Sequence, residues 1–171
     1  MDTTLESKPQ RKIEIREADS VVVRFSGDSG DGMQLTGMQF TDTSALLGQD
    51  ISTFPEFPAE IRAPAGTLAG VSGFQVHFGS KEIFTPGDMY DVLVVMNSAA
   101  LKNDLPRLVK GGVIIANVSG FDSKNLKLAG YPEGATNPLE DGTLDGYQVF
   151  KVDISKFTKE ALKDSGLGMK E

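Results

Sequence analysis

Cysteine is absent from the 171 residues, so the chain can supply no disulfide, no thiolate metal site and no iron–sulfur ligand. That absence suits a reducing cytoplasm, the location expected for this chain. Histidine is nearly absent too: with His77 alone, histidine-rich metal sites and Ser-His-Asp arrangements have almost no material. Basic residues are in deficit, 17 Lys+Arg against 24 Asp+Glu, giving a formal net charge of -7 and a pI near 4.8. Such a balance argues against nucleic acid and anionic membrane as partners. No apolar run approaches the roughly 20 residues of a membrane-spanning helix, and the N-terminus carries no apolar signal core. The hydrophobic fraction of 39% and the charged fraction of 24% are those of an ordinary soluble domain. The length suffices for one compact domain with a core and is too short for two comfortable ones.

Residues 1–19 are polar, charged and aperiodic, and read as an N-terminal arm or linker. Ser20–Phe25 follows as a strand, its apolar run suggesting burial on both faces, as in a parallel sheet. From Gly32, the residues Met33, Leu35, Met38, Phe40, Leu46 and Leu47 fit a helix packing on that sheet, with Gly48 as its stop. Ser52–Thr67 holds three prolines and two phenylalanines; this density forbids a central strand or a helix interior and predicts a structured loop. Leu68–Phe78 reads as a strand turning at Gly79-Ser80 into a short Lys81–Phe84 partner. Asp91–Met96 is a further buried-type strand, and Asn97-Ser98 caps a helix over Ala99–Val109 that Gly111-Gly112 closes. Val113–Val118 is the next strand. Residues 119–146 read as loop with a short strand near Leu126–Leu128. Gln148–Val152 is the last strand, and Asp153–Ser155 caps a helix over Lys156–Asp164 that Gly166 and Gly168 end. Strands alternating with helices predict an α/β fold: a single Rossmann-like, three-layer domain on a mostly parallel sheet. The stop at Gly168–Glu171, just past a helix end, suits either a natural terminus or a cut in a longer polypeptide, and a fragment of a longer subunit is the expectation.

The turn Gly27-Asp28-Ser29-Gly30-Asp31-Gly32 sits between a strand and a helix, where backbone N–H groups usually face an anion. Three familiar mechanisms nevertheless fail on named residues. The spacing of Gly27 and Gly32 matches a P-loop, but Met33 and Gln34 stand where lysine and a hydroxyl are needed. The glycine order is G-x-x-G-x-G, so the close-approach glycine of a dinucleotide fold falls elsewhere. As a calcium loop, Gly30 and Gly32 would occupy ligand positions they cannot fill. Asp28 and Asp31 either cap the helix or face a ligand or partner bearing positive charge or donors; either way they oppose a phosphate at this turn.

The second segment of interest is Glu56–Thr67. It reads either as an ordered surface loop or as a recognition loop, with Phe54 and Phe57 as exposed apolar anchors and Arg62 as a bidentate donor for a carboxylate or phosphate. In an α/β sheet it would lie near the glycine turn, at the carboxyl ends of the strands. His77 is expected on a strand face rather than in a catalytic pair, and Asn97-Ser98 as a cap.

The runs VVRFSGDSGDGMQLTG, FPEFPAEIRAPAGTLAGVSGFQVHFGS and DVLVVMNSAALKNDL resemble the gamma-type domain of 2-oxoacid:ferredoxin (acceptor) oxidoreductases. More narrowly, they resemble the N-terminal part of a fused alpha subunit of the 2-oxoglutarate-type enzymes, over residues 20–171. The resemblance implies a complex that oxidatively decarboxylates a 2-oxoacid to an acyl-CoA. Thiamine diphosphate, Mg and iron–sulfur clusters would lie in other domains or subunits. It implies as partners the thiamine-binding remainder of the same subunit, a beta-type thiamine-binding subunit and, indirectly, ferredoxin. This domain would carry no catalytic residue and no metal ligand, bind no cofactor tightly, and support assembly and the coenzyme A side of the site through Gly27, Gly30, Gly32, Arg62 and Thr67. Where the family's common blocks read G-x-G-G-x-G and R-G-G-T, this chain has Gly27-Asp28-Ser29-Gly30-Asp31-Gly32 and Arg62-Ala63-Pro64-Ala65-Gly66-Thr67. The triplet Gly30-Asp31-Gly32 lacks the downstream partner of a thiamine-type motif. The rival expectation is a free-standing Rossmann-like nucleotide-binding enzyme, resting on the strand–glycine–helix unit alone; a third is a pure interaction domain without a small ligand.

Overall fold

The computed structural model describes residues 17–60 and 62–163. Six strands form one sheet: β1 (Ser20–Asp28), β2 (Asp50–Glu56), β3 (Val71–Gly79), β4 (Tyr90–Val95), β5 (Leu108–Asn117) and β6 (Gln148–Val152). Their spatial order is β2-β3-β1-β4-β5-β6. The β1/β4, β4/β5 and β5/β6 pairs are parallel, whereas β3 runs antiparallel between β1 and β2. The sheet is therefore mostly parallel, as expected, with one reversed strand.

Alternation along β1 divides the core. Val21, Val23 and Phe25 point to the face covered by helix α1 (Met33–Leu46), where they meet Met33, Phe40, Phe74 and Val76. Val22 points to the other face, into a cluster with Tyr90, Leu93, Leu101 and Phe121 beneath helix α2 (Ser98–Asp104). Helix α3 (Ser123–Leu128) packs beside α2, and α4 (Ile154–Leu162) ends the described chain. Helices on both faces of the sheet give the three-layer, Rossmann-like architecture.

Helix α1 differs from its sequence reading in which side it buries. Met33, Gly37 and Ser44 are buried and Phe40 partly so, one stripe at helical spacing. A Cβ at Gly37 would collide with the Phe74 ring, so the small residues let the helix lie close on β3. Leu35, Met38, Leu46 and Leu47 are consequently exposed rather than packed on the sheet. Gly48 closes the helix at φ 76°, as predicted.

Other expectations need correction. The proline-rich segment begins as a strand: Asp50–Glu56 pairs with β3 at the edge of the sheet, a position that tolerates Pro55. Strand β3 begins at Val71, after a 3-10 turn over Leu68–Gly70. Lys81–Phe84 forms no strand; instead the stretch that follows lies over β3, whose Gln75 Nε2 donates to the carbonyls of Pro86 (2.6 Å) and Gly87 (2.7 Å). Helix α2 ends at Asp104, because Pro106 lacks the N–H that would continue it, and the chain passes through a 3-10 turn into β5. Gly111-Gly112 thus lie within β5, where the ladder with β4 shifts register, and do not close a helix. Leu126–Leu128 belongs to α3, whose Asp122 cap accepts from the Asn125 N–H. Asn97 and Asp153 cap α2 and α4 through Ala100 and Lys156 N–H groups, as read from sequence. The arm over 1–16, together with Asp164, Gly166 and Gly168, lies outside the described residues.

Candidate functional site

The glycine turn and the proline-rich segment meet. Strand β3 lies beside β1 with Val71 opposite Asp28, so the chain entering β3 must pass the end of β1. There the Gly66 N–H donates to Asp28 Oδ2 at 2.8 Å. Asp31 Oδ2 in turn accepts from the Asp28 N–H at 2.8 Å and the Asp31 N–H donates back to the Asp28 carbonyl at 2.9 Å. Neither aspartate caps α1, whose N-cap is Gly32 with no side-chain bond. The capping alternative gives way to a latch: Asp31 staples the turn and Asp28 ties it to the second loop. Asp31 lies at the surface, but its carboxyl is crowded by the turn. Desolvation raises its pKa, partly offset by the Asp28 N–H and reinforced by the Asp28 charge.

The glycines of the turn serve different needs. A Cβ at Gly27 would lie 2.7 Å from Asp31 Oδ2 and 3.0 Å from Met96 Cβ, so this position is set by close approach to the end of β4. Gly32 adopts φ 75°, the left-handed conformation that favours glycine. Gly30 faces open space with an ordinary φ, and neither requirement applies there. On the second loop, Gly66 is buried at φ 83° and Thr67 Oγ1 donates to the Pro64 carbonyl at 2.7 Å. Arg62 is exposed and has no hydrogen-bond or ion-pair partner among the described residues. Phe57 is 69% exposed, as a recognition loop would require, whereas Phe54, 48% exposed, lies on strand β2 rather than on the loop. Gly27, Gly32 and Thr67 therefore shape two adjoining loops, and Arg62 is the free donor on them. His77 stands on the α2-side face of β3, Nδ1 against the Thr85 carbonyl (2.7 Å) and Nε2 against Ser20 Oγ (3.2 Å).

Behind these loops lies a buried charged cluster that sequence reading missed. Arg24, 1% exposed, pairs with Glu56 at the end of β2, and its Nε is 3.6 Å from Asp104 Oδ1. Asp104 is fully buried and accepts from Ser26 Oγ (2.5 Å), Arg107 Nη2 (3.2 Å) and the Tyr90 hydroxyl (3.3 Å). Both guanidinium groups also lie over the Tyr90 ring, Arg24 at 5.7 Å and Arg107 at 5.3 Å from its centre. Burial, and then the Asp104 charge, push the Tyr90 hydroxyl up to about 12, so it remains a proton donor throughout the physiological range. The available signal was Arg24 itself, a cation inside an otherwise apolar central strand. Beside the cluster a pocket of about 410 Å3 opens between Phe54, Gln75, Thr85–Asp88 and Arg107. A larger pocket, about 570 Å3, is lined by Lys124, Lys127, Tyr131 and neighbours and contains none of the residues predicted for the site.

The arrangement offers an exposed arginine and an exposed aromatic ring, Arg62 and Phe57, on a loop tied to the glycine turn. Asp28 and Asp31 occupy the turn where a phosphate would otherwise sit, so its oxygens do not fit there, whereas Arg62 suits a carboxylate or phosphate approaching from outside.

The chain is similar to known proteins over most of its length. The family model described as pyruvate ferredoxin/flavodoxin oxidoreductase matches residues 22–169. The 2-oxoglutarate oxidoreductase subunit KorA of Mycobacterium tuberculosis (strain ATCC 25618 / H37Rv) is 47% identical over 170 residues, covering 99% of this chain and 25% of that protein. The chain thus spans about a quarter of the length of that curated relative. Among solved structures, 2-oxoglutarate:ferredoxin oxidoreductase from Magnetococcus marinus, determined with 2-oxoglutarate, coenzyme A and succinyl-CoA bound, superposes with a TM-score of 0.64. It is 24% identical, over 86% of this chain and 22% of that one. The gamma subunit of a keto/oxoacid ferredoxin oxidoreductase from Geobacter sulfurreducens gives a TM-score of 0.55 at 18% identity, over 85% of this chain and 67% of that one. These structural likenesses show a shared fold. No helix among the described residues is long and apolar enough to cross a membrane.

Proposed function

Because the chain belongs to the pyruvate ferredoxin/flavodoxin oxidoreductase family, we propose that it is the gamma-type, non-catalytic domain of a 2-oxoglutarate-type 2-oxoacid:ferredoxin oxidoreductase. In this reading the complex decarboxylates 2-oxoglutarate oxidatively and transfers the acyl group to coenzyme A. The domain covers the coenzyme A side of the site and packs against the thiamine-binding remainder of its own subunit and a beta-type subunit. The identity to a 2-oxoglutarate oxidoreductase subunit along nearly the whole chain favours that substrate over other 2-oxoacids. Thiamine diphosphate, Mg and iron–sulfur clusters belong in this reading to other domains or subunits; for the clusters this accords with a chain that has no cysteine to ligate one.

The match to a 2-oxoglutarate oxidoreductase subunit along nearly the whole chain carries the reading, and the Asp28–Gly66 hydrogen bond supports its surface. That bond joins the two sequence blocks into one surface, with Arg62 and Phe57 displayed and Gly27, Gly30, Gly32 and Thr67 forming its backbone. Coenzyme A would meet this surface through its phosphates at Arg62, not at the turn. The exposed Leu35, Met38, Leu46 and Leu47 of α1 supply apolar area for packing against a neighbouring domain.

Two experiments test the proposal. The purified chain alone should show no 2-oxoglutarate-dependent viologen reduction; turnover without other domains would sink the non-catalytic assignment. In the assembled enzyme, Arg62→Ala should raise the apparent KM for coenzyme A about tenfold, the loss of one charge-assisted contact. An unchanged KM together with unchanged assembly would remove Arg62 from the site.

A further inference from the structure

Arg24 heads the largest fully buried side chains of the molecule, and it is a cation. It lies on the α2 side of β1, across Gly73 of β3, where any Cβ would collide with the guanidinium. Its Nη2 reaches Glu56, but Nη1 and Nε have no hydrogen-bond partner. Burying a cation whose donors are only partly used is costly, and apolar residues of similar volume often replace buried ion pairs without loss of stability. Stability therefore does not account for an arginine here. What it touches does.

Glu56 is the last residue of β2 and the last point held before the segment 57–67. Its carboxylate is gripped by Arg24 and lies 3.7 Å from Arg107, while its carbonyl accepts from Gln34 Nε2 (3.1 Å) and Ser72 Oγ (3.2 Å). The other end of the clamp is Asp104, held by Ser26 and Tyr90 in the core. Arg24 thus refers the start of an exposed loop to the centre of the sheet rather than to solvent.

We propose that Arg24 is a positioning residue: through Glu56 its buried guanidinium fixes where the segment 57–67 leaves the sheet, and so how Phe57 and Arg62 are presented to a phosphate- or carboxylate-bearing ligand. The inference rests on the reading of that segment as the coenzyme A-side surface. Gly73 is part of the device, since it makes the room through which Arg24 crosses β3. Asp104 supplies the second, fully buried charge that keeps the guanidinium from following Glu56 if the loop moves.

The test uses the assembled enzyme carrying Arg24→Met, Glu56→Ala or both, with hydrogen exchange of peptides from 57–67 and from β6, and KM and kcat for coenzyme A. Loss of one charge-assisted hydrogen bond should speed exchange in 57–67 about tenfold in each single variant, with β6, at the far edge of the sheet, unchanged. The double variant should add nothing further, because both changes break the same link. The coenzyme A KM should rise severalfold while kcat stays within about twofold, a split that simple destabilisation does not produce. Unchanged exchange in 57–67, or acceleration shared equally by β6, would overturn the inference. Local acceleration with an unchanged KM would uphold Arg24 as the positioning residue and instead refute the coenzyme A-side reading of the loop. Should Arg24→Met fail to assemble, the partly exposed Glu56→Ala decides the matter by the same readouts.

Discussion

The link between the two loops predicts a measurable local opening. In Asp28→Ala the Gly66 N–H loses its acceptor, and Gly66 is buried, so water does not simply replace it. A hydrogen bond to a charged group contributes about 1.5–3 kcal/mol, and a buried orphan donor costs a similar amount. Since 1.4 kcal/mol is a factor of ten in an equilibrium, the open fraction of the loop should rise between about tenfold and a hundredfold. The fold itself should survive, because Gln34 and Ser72 still hold the Glu56 end. Hydrogen exchange of the peptide containing Gly66, compared with one containing the fully buried Leu93 of β4, is the direct assay. The first should exchange faster in Asp28→Ala and the second should not. Asp28→Asn keeps an uncharged acceptor and should recover roughly half of the lost free energy, as neutral bonds are about half as strong. If exchange at Gly66 is the same in wild type and Asp28→Ala, the two loops are not held by this bond and their joint surface has another origin.

Two further substitutions probe the same region. Gly37→Ala should favour helix α1 by about 1 kcal/mol, yet the added Cβ meets the buried Phe74 ring. Overpacking costs about 1–3 kcal/mol, so after the helix gain the net loss reaches about 2 kcal/mol and lowers Tm by up to about 4–8 °C for a domain of this size; a higher Tm would mean the Phe74 ring moves freely. Burial holds the Asp31 carboxyl above the usual carboxylate range. Its contribution to stability is therefore fullest below the unfolded pKa and is lost as pH rises through the folded one. Asp31→Asn keeps an acceptor for the Asp28 N–H without the charge, so it should raise Tm at pH 7 and give no advantage near pH 3. A Tm difference independent of pH would refute that cause.

Residues adjacent in sequence were legible where local chemistry decides the outcome. The runs of β1 and β4 declared strands buried on both faces, Asn97 and Asp153 declared caps, and Gly48 declared a stop. Errors came where tertiary context overrides a local signal. Pro55 suggested loop, but an edge strand leaves room for it. Leu35, Met38 and Leu46 suggested a packed helix face, but the close seat of Gly37 on Phe74 turns them outward. The helix over 99–109 ran on past Pro106, whose missing N–H was in plain view.

Local sequence was enough for the α/β class, the strand–glycine–helix unit, the absence of cluster ligands, and a turn whose aspartates disfavour phosphate. Each of these follows from residue type and spacing within a few positions. What Asp28 is for came from the fold, because its partner depends on β3 running antiparallel beside β1 and bringing Gly66 to the turn, whereas Asp31 bonds locally to the Asp28 backbone. It also decided that Arg24, Glu56 and Asp104, which are far apart along the chain, share one buried cluster. Pairings of that kind arise from strand order and register, which no local window of sequence contains.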